Sequence, residues 1–273
     1  MRTKHTLLLS GGLDSTYLLF KLLLEDLNFK DKKDFLELCI INSSNFQNCR
    51  RQFDAINRLI TLIYRHYTEE DISFQFIDFS VLLQGTSYAS FPGQVGNIKT
   101  NGLAKEQGFR FHGLSQTPML IAACVYSIHV ETDNVIHIGY TKNDLMDRGY
   151  DPILLADIDT AVRSFIPFIS LDKYPSLQIE YDLIDTTKRE IVLKLINLLM
   201  ESNLEEYEVD QILRNIVYCE KPYVEAECAC PSCKKMKEVF SGIERDSSID
   251  NRIKEKMNLL RYSNEFSLTE IEN

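Results

Sequence analysis

Positive charge is in short supply in this chain: 30 lysines and arginines stand against 40 aspartates and glutamates, a formal net charge of −10. That deficit argues against a broad, unspecific nucleic-acid surface, which needs clustered basic side chains to neutralise phosphates. A local pocket for ATP or a free nucleobase is compatible with it, and such partners are expected before a duplex. Long hydrophobic runs are missing too. No stretch approaches the ~20 apolar residues that span a bilayer, and residues 1–9 hold no apolar run with a small-residue cleavage site. Neither export nor membrane spanning is expected, and the protein is read as cytoplasmic. There is no internal repeat and no low-complexity tract. Cysteine is sparse over most of the length: Cys39, Cys49 and Cys124 stand alone, and in a reducing compartment each is expected to be a small buried hydrophobe.

What is present is enough apolar material, 44% of 273 residues, for one large α/β core with a small appendage. The chain is organised around Leu7-Leu8-Leu9-Ser10-Gly11-Gly12-Leu13-Asp14-Ser15-Thr16 and the apolar run from Tyr17 to Leu24. A strand that breaks into Ser-Gly-Gly and resumes as a helix leaves backbone N–H groups facing an open loop, where an anion can accept them. Ser10 and Ser15 add hydroxyls. Asp14, a carboxylate beside a phosphate cradle, makes sense with a cation or a positioned water between them. The spacing fits neither the Walker A loop nor Gly-x-Gly-x-x-Gly.

Further strands are expected at 35–42, 72–79, 134–140 and 177–181, where apolar residues run or alternate, with helices at 52–67, 118–128 and 158–166, the last ended by Pro167. His137 inside its strand is read as a satisfied core histidine. Residues 82–112 form a connection much longer than the usual ~4–6 residues, as lids and binding loops do. Thr187 and Glu190 form a Thr-x-x-Glu capping box. Lys188 lies beside them in the first helical turn, where a cation opposes the helix dipole unless an anion offsets it, so phosphate contact is expected. Cys219, Cys228, Cys230 and Cys233 fall within fifteen residues. Four thiolates that close suit a tetrahedral structural zinc site with no open position for activated water; an iron–sulfur cluster is the lesser alternative.

Ser-Gly-Gly-Leu-Asp-Ser after an N-terminal strand resembles the pyrophosphate loop of the PP-loop ATP pyrophosphatase superfamily. The later segments resemble its 7-cyano-7-deazaguanine synthase family: Gly139 with Asp144, the Thr-Lys-x-Glu-Ile run from Thr187 to Ile191, and the cysteine group, one of whose spacers is a residue shorter than the family's, at Cys230. The resemblance implies an adenine nucleotide alpha hydrolase-like, Rossmann-like, mostly parallel sheet flanked by helices with a C-terminal helical and zinc-binding module. It places an ATP-binding domain at 1–200, with residues 82–112 as substrate loop, and the helical region at 201–273.

By the same resemblance Ser10, Gly11, Gly12, Leu13, Asp14, Ser15, Thr16 and Gly139 bind MgATP. Asp14, Ser15, Lys188 and Asp144 take part in catalysis, Ser87, Tyr88, Gln116 and Asp144 contact the base, and structural zinc is held by Cys219, Cys228, Cys230 and Cys233. The family activates the carboxylate of 7-carboxy-7-deazaguanine with ATP, adds ammonia and dehydrates the amide to the nitrile. This chain departs from it on the acceptor side: Ser115 and Gln116 replace an Arg-Asn pair, and an Asp-Cys is missing after Tyr150. An intact activation loop beside a changed acceptor side leads us to expect an amide-forming ligase whose nucleophile is ammonia or an amine of a protein partner, as in relatives from antiphage operons. Free nitrile synthesis is the competing enzyme reading, and a nucleotide-binding structural subunit the third. A homodimer is the family expectation.

Overall fold

A computed structural model describes residues 2–31, 33–42, 49–78, 120–142, 152–169, 175–218, 228 and 230–262. Five strands, β1 (Thr3–Leu9), β2 (Asp34–Asn42), β3 (Ile72–Asp78), β4 (Asp133–His137) and β5 (Leu177–Glu180), form one sheet in the order β3-β2-β1-β4-β5. β2 with β3, β1 with β4 and β4 with β5 pair in parallel; Leu7 stands opposite His137, Leu38 opposite Phe74 and Ile136 opposite Ile179. The result is the expected mostly parallel sheet flanked by helices. Strands covered on both faces need near-continuous apolar runs. Leu36, Leu38, Cys39 and Ile40 meet that need in β2, all of them buried.

Among the described residues the helices are α1 (Leu13–Lys21), α2 (Cys49–Ile63), α3 (120–127), α4 (Pro152–Ser164), α5 (Ile166–Ile169), α6 (Lys188–Glu201), α7 (Glu206–Asn215), α8 (Pro231–Arg245) and α9 (Asn251–Tyr262). α1 runs directly into a π-helical turn, Leu22–Asp26, which the apolar run alone did not announce. α4 starts at Pro152, where a first-turn proline loses no hydrogen bond, earlier than the 158 expected. Pro167 does not end that helix. The chain turns at Phe165 and Pro167 lies in the first turn of α5.

Contacts group the chain into two compact units that interleave along the sequence: residues 1–8, 28–47 and 71–184, and residues 9–27, 48–70 and 185–273. In the first unit α3 and α4 pack on the sheet through Leu120, Cys124, Ile158 and Val162 against Ile136 and Leu177. His137 is buried. Its Nδ1 lies 2.8 Å from Asp182 Oδ2 and its Nε2 3.0 Å from His5 Nδ1, so the core reading of that histidine agrees with the geometry. The second unit is helical, its core built from Leu18 and Leu19 of α1, Leu59 of α2, Leu195 and Leu199 of α6, Ile212 of α7, Phe240 of α8 and Met257 of α9, all nearly or fully buried. There Glu208 is buried against His66, whose Nε2 lies 3.1 Å from both carboxylate oxygens. Burial alone would push its carboxyl up; hydrogen bonds from His66, the Glu205 N–H and the Tyr207 hydroxyl outweigh that and hold it below the ordinary carboxylate value. Among the described residues no helix is long and apolar enough to cross a membrane.

Candidate functional site

The loop between β1 and α1 belongs to the helical unit. Gly11 carries a φ of +70°, left-handed backbone that costs glycine little and other residues more. A Cβ there would come within 3.1 Å of Ile56 Cγ1 and 3.2 Å of the Gln52 carbonyl oxygen, so α2 forms the wall behind the loop. Gly12, extended at φ −82° and ψ 170°, is the residue before the first turn of α1. The Gly11 carbonyl accepts from the Val217 N–H at 3.0 Å.

Within the loop the hydroxyls bond one another. Ser15 Oγ lies 3.3 Å from the Gly12 carbonyl, to which it donates, accepts from the Ser10 N–H at 3.2 Å and lies 3.0 Å from Ser10 Oγ. A hydroxyl has one proton. With that of Ser15 given to Gly12, Ser10 supplies the one between the two serines, and Ser10 Oγ in turn accepts from the Gly12 N–H at 3.3 Å. Ser15 is 5% exposed and so closed into this ring, whereas Ser10 is exposed. Ser15 therefore shapes the loop and Ser10 is the hydroxyl that a ligand can reach. Thr16 is fully buried; its N–H bonds the Gly12 carbonyl at 3.0 Å, the first bond of the helix, and its hydroxyl has no hydrogen-bond partner among the described residues. Leu13 packs into the core.

Lys188 is the first residue of α6, after the capping box: the Thr187 N–H donates to Glu190 Oε2 at 2.7 Å and the Glu190 N–H to Thr187 Oγ1 at 3.3 Å. Its ammonium is hydrogen-bonded and ion-paired with Asp14 Oδ2, both side chains being largely buried. The anion that offsets a lysine at a helix N-terminus is thus Asp14, and the pair brings the N-terminal ends of α1 and α6 together. First-turn amides of a helix have no partner within it, so those of α1 face the same place. The arrangement can receive an anion.

The cysteines supply the second candidate centre. The Sγ atoms of Cys228, Cys230 and Cys233 lie within 4.8 Å of one another, all buried. Thiolates around one tetrahedral zinc, with Zn–S of ~2.3 Å, stand about 3.8 Å apart, so the set fits a metal ion. Cys230, the shortened-spacer position, is in the set. It caps α8 and accepts the Cys233 N–H at 3.4 Å, with Pro231 beginning the helix. Tyr218 packs against the three cysteines. Cys219 lies outside the described residues, as do Ser87, Tyr88, Gln116, Asp144 and the loop 82–112. Gly139 follows β4 in the sheet unit. The sequence reading did not foresee Val217; a backbone hydrogen bond to a distant residue leaves no mark on residue type.

No family model matches the chain, and no curated protein does. Among solved structures it is similar to the U34-tRNA thiolase NcsA from Methanococcus maripaludis with its 4Fe-4S cluster, at 14% identity over 96% of this chain and 71% of that one, with a TM-score of 0.39.

Proposed function

We propose that the chain is an ATP-dependent adenylating ligase. The carboxylate of 7-carboxy-7-deazaguanine attacks the α-phosphorus of MgATP, the bond to pyrophosphate breaks, and a nitrogen nucleophile then attacks the acyl carbon, releasing AMP and a proton as the amide forms. The supporting observation is the self-bonded Ser10–Ser15 loop at the N-terminus of α1, with the Lys188 ammonium held beside it by Asp14. In this reading the α1 amides receive phosphate oxygens, Ser10 joins them by turning its proton from Ser15 to the ligand, and Lys188 stabilises charge on the leaving pyrophosphate; prearranged donors of this kind are a main source of rate enhancement. Asp14 keeps Lys188 aimed at the loop. Gly139 lines the nucleotide, and Ser87, Tyr88, Gln116 and Asp144 contact the base, as the family resemblance implies.

The nitrogen comes from ammonia or from an amine of a protein partner in antiphage defence, and the enzyme is a homodimer. Cys219 completes the set of Cys228, Cys230 and Cys233 around zinc, which supplies a structural cross-link and no activated water. Zinc is the ion that four clustered thiolates suit in a structural site, with an iron–sulfur cluster as the alternative. Mass spectrometry of reactions containing ATP, magnesium, 7-carboxy-7-deazaguanine and either ammonia or a candidate protein tests the reading. Pyrophosphate release that requires the carboxylated base, with an amide or protein adduct lost in Asp14→Ala, is expected. Conversion to the free nitrile with no adduct would replace conjugation by nitrile synthesis, and nucleotide binding without pyrophosphate from any acceptor would leave a structural subunit.

A further inference from the structure

The nucleotide loop and the cysteine group are bridged by two consecutive residues, Val217 through its backbone and Tyr218 through its side chain. Ile216, fully buried, leaves the C-terminus of α7. Val217 then clasps the loop: its N–H donates to the Gly11 carbonyl at 3.0 Å, and its own carbonyl oxygen lies 3.5 Å from where a Cβ on Gly12 would stand. Tyr218 reaches the opposite way. It packs on Cys228, Cys230 and Cys233, meets the Phe240 ring edge-on with centroids 5.9 Å apart, and its hydroxyl donates to the Arg261 carbonyl at 3.3 Å. The next residue in the chain is Cys219. On the other flank Gly11 is backed by Ile56 and the Gln52 carbonyl, so the loop is held between α2 and the Val217 backbone.

We propose that Val217 and Tyr218 form a positioning strap through which metal occupancy of the cysteine group sets the geometry of Gly11 and Gly12, making metal and nucleotide binding mutually reinforcing. The inference rests on the nucleotide reading of the Ser10–Ser15 loop. A bound metal ion would fix Cys228, Cys230 and Cys233 relative to one another, and with them the surface on which Tyr218 packs. With the ion removed, Tyr218 packs on sulfurs that no longer share a ligand, and the segment loses one of its anchors while the Phe240 ring and the Arg261 carbonyl remain. Val217 then holds Gly11 O for a smaller share of the time, and the α1 amides and Ser10 hydroxyl are presented less often in the receiving arrangement. Coupling between sites is commonly 5–150-fold and acts equally on both affinities. A chain with two backbone contacts to the loop and one aromatic contact to the cysteines falls in the lower part of that span, at about tenfold.

The test uses the full chain loaded with zinc. Affinity for a magnesium complex of a non-hydrolysable ATP analogue is measured by calorimetry with zinc bound and after chelation, and zinc affinity is measured by chelator competition with and without the analogue. An about tenfold change of the same size in both measurements is expected. Tyr218→Ala keeps the cysteines and should retain about one zinc per chain while the two affinities become independent. Val217→Pro removes the N–H that Gly11 accepts and should weaken analogue binding about tenfold at full zinc content. Because the chelated chain can lose its fold, these zinc-loaded variants carry the decision, with circular dichroism and amide exchange of residues 10–16 read alongside. Tight analogue binding in the loaded protein that is unchanged by Val217→Pro, or zinc affinity indifferent to the analogue, overturns the strap. No analogue binding by the loaded wild type overturns instead the nucleotide reading on which it rests.

Discussion

Replacing Gly11 by alanine puts the description of the loop at risk in a single substitution. At φ +70° an alanine pays roughly 1–2 kcal/mol for left-handed backbone. Its methyl would stand 3.1 Å from Ile56 Cγ1 and 3.2 Å from the Gln52 carbonyl; the first can swing aside, the second moves only with α2, and forcing extra carbon into packed surroundings costs about 1–3 kcal/mol. Some strain is shared between the two, so a loss of about 2–4 kcal/mol is expected. At ~2–4 °C per kcal/mol for chains of this order, the midpoint falls by roughly 4–16 °C. Urea and thermal unfolding followed by far-UV circular dichroism measure it, and two neighbours calibrate it. Gly12→Ala has ordinary backbone and meets only Ser10 Oγ at 3.2 Å and the Val217 carbonyl at 3.5 Å, so stability changes by less than about 1 kcal/mol while nucleotide affinity drops. Gly242→Ala, exposed within α8 with nothing within 4 Å, gains about 0.8–1 kcal/mol of helix propensity. A Gly11→Ala protein within about 0.5 kcal/mol of the native one, the ordinary range of a surface change, would refute the left-handed loop packed on α2.

Lys188→Met keeps the length of the side chain and removes the charge beside Asp14, so calorimetry should show affinity for the ATP analogue falling about tenfold, the worth of ~1.4 kcal/mol; unchanged affinity would remove Lys188 from the site. Burial pushes the thiols of Cys39 and Cys124 up to about 12, so native protein treated with iodoacetamide at pH 8 should show neither residue alkylated by peptide mass spectrometry, and both should react in urea. Zinc analysis of protein purified without chelator should find about one ion per chain, with Cys228→Ser lowering content and unfolding midpoint together. Glu208 is held below the ordinary carboxylate value, so its stabilising contribution is complete above that value and is lost as pH falls through the lower folded one. Glu208→Gln should flatten the acid limb of stability against pH in urea titrations, and an unaltered limb would count against the His66 contact.

The legible parts of the chain are those in which one residue type has one physical use. The strands follow from apolar runs that only a sheet covered on both faces accommodates, and the bounds expected for β2 to β5 move by no more than a residue except at the end of β4, which stops three residues short at His137. Thr187 and Glu190 announced their capping box, and an uncompensated lysine at Lys188 announced an anion, which is Asp14 as found here. The π turn at Leu22–Asp26 was not legible because Leu22, Leu23 and Leu24 bury equally well in an α or a π turn. Pro167 was misread because a proline that ends one helix is equally suited to begin the next, and α4 had already stopped at Ser164. Val217 was invisible because its part is played by backbone atoms common to nearly every residue.

The net charge of −10 and a site for a polyphosphate stand together because the field that matters is local. At physiological ionic strength exposed charges are screened over ~8 Å, so carboxylates elsewhere on the surface add little at the loop. Within that distance the pairing of Lys188 with Asp14 joins two helix N-termini, each equivalent to roughly half a positive charge. Asp14 neutralises Lys188 in the absence of nucleotide, the Glu190 carboxylate in the capping box offsets the start of α6, and the start of α1 is left as the surplus. An arriving phosphate meets that surplus first and can then share the ammonium, whose three donors serve more than one acceptor. The carboxylate therefore lowers the cost of keeping a lysine at the start of α6 in the absence of nucleotide without cancelling the attraction that binds it. The charge of the chain as a whole governs which large partners it repels, and the junction of α1 and α6 governs which small anion it admits.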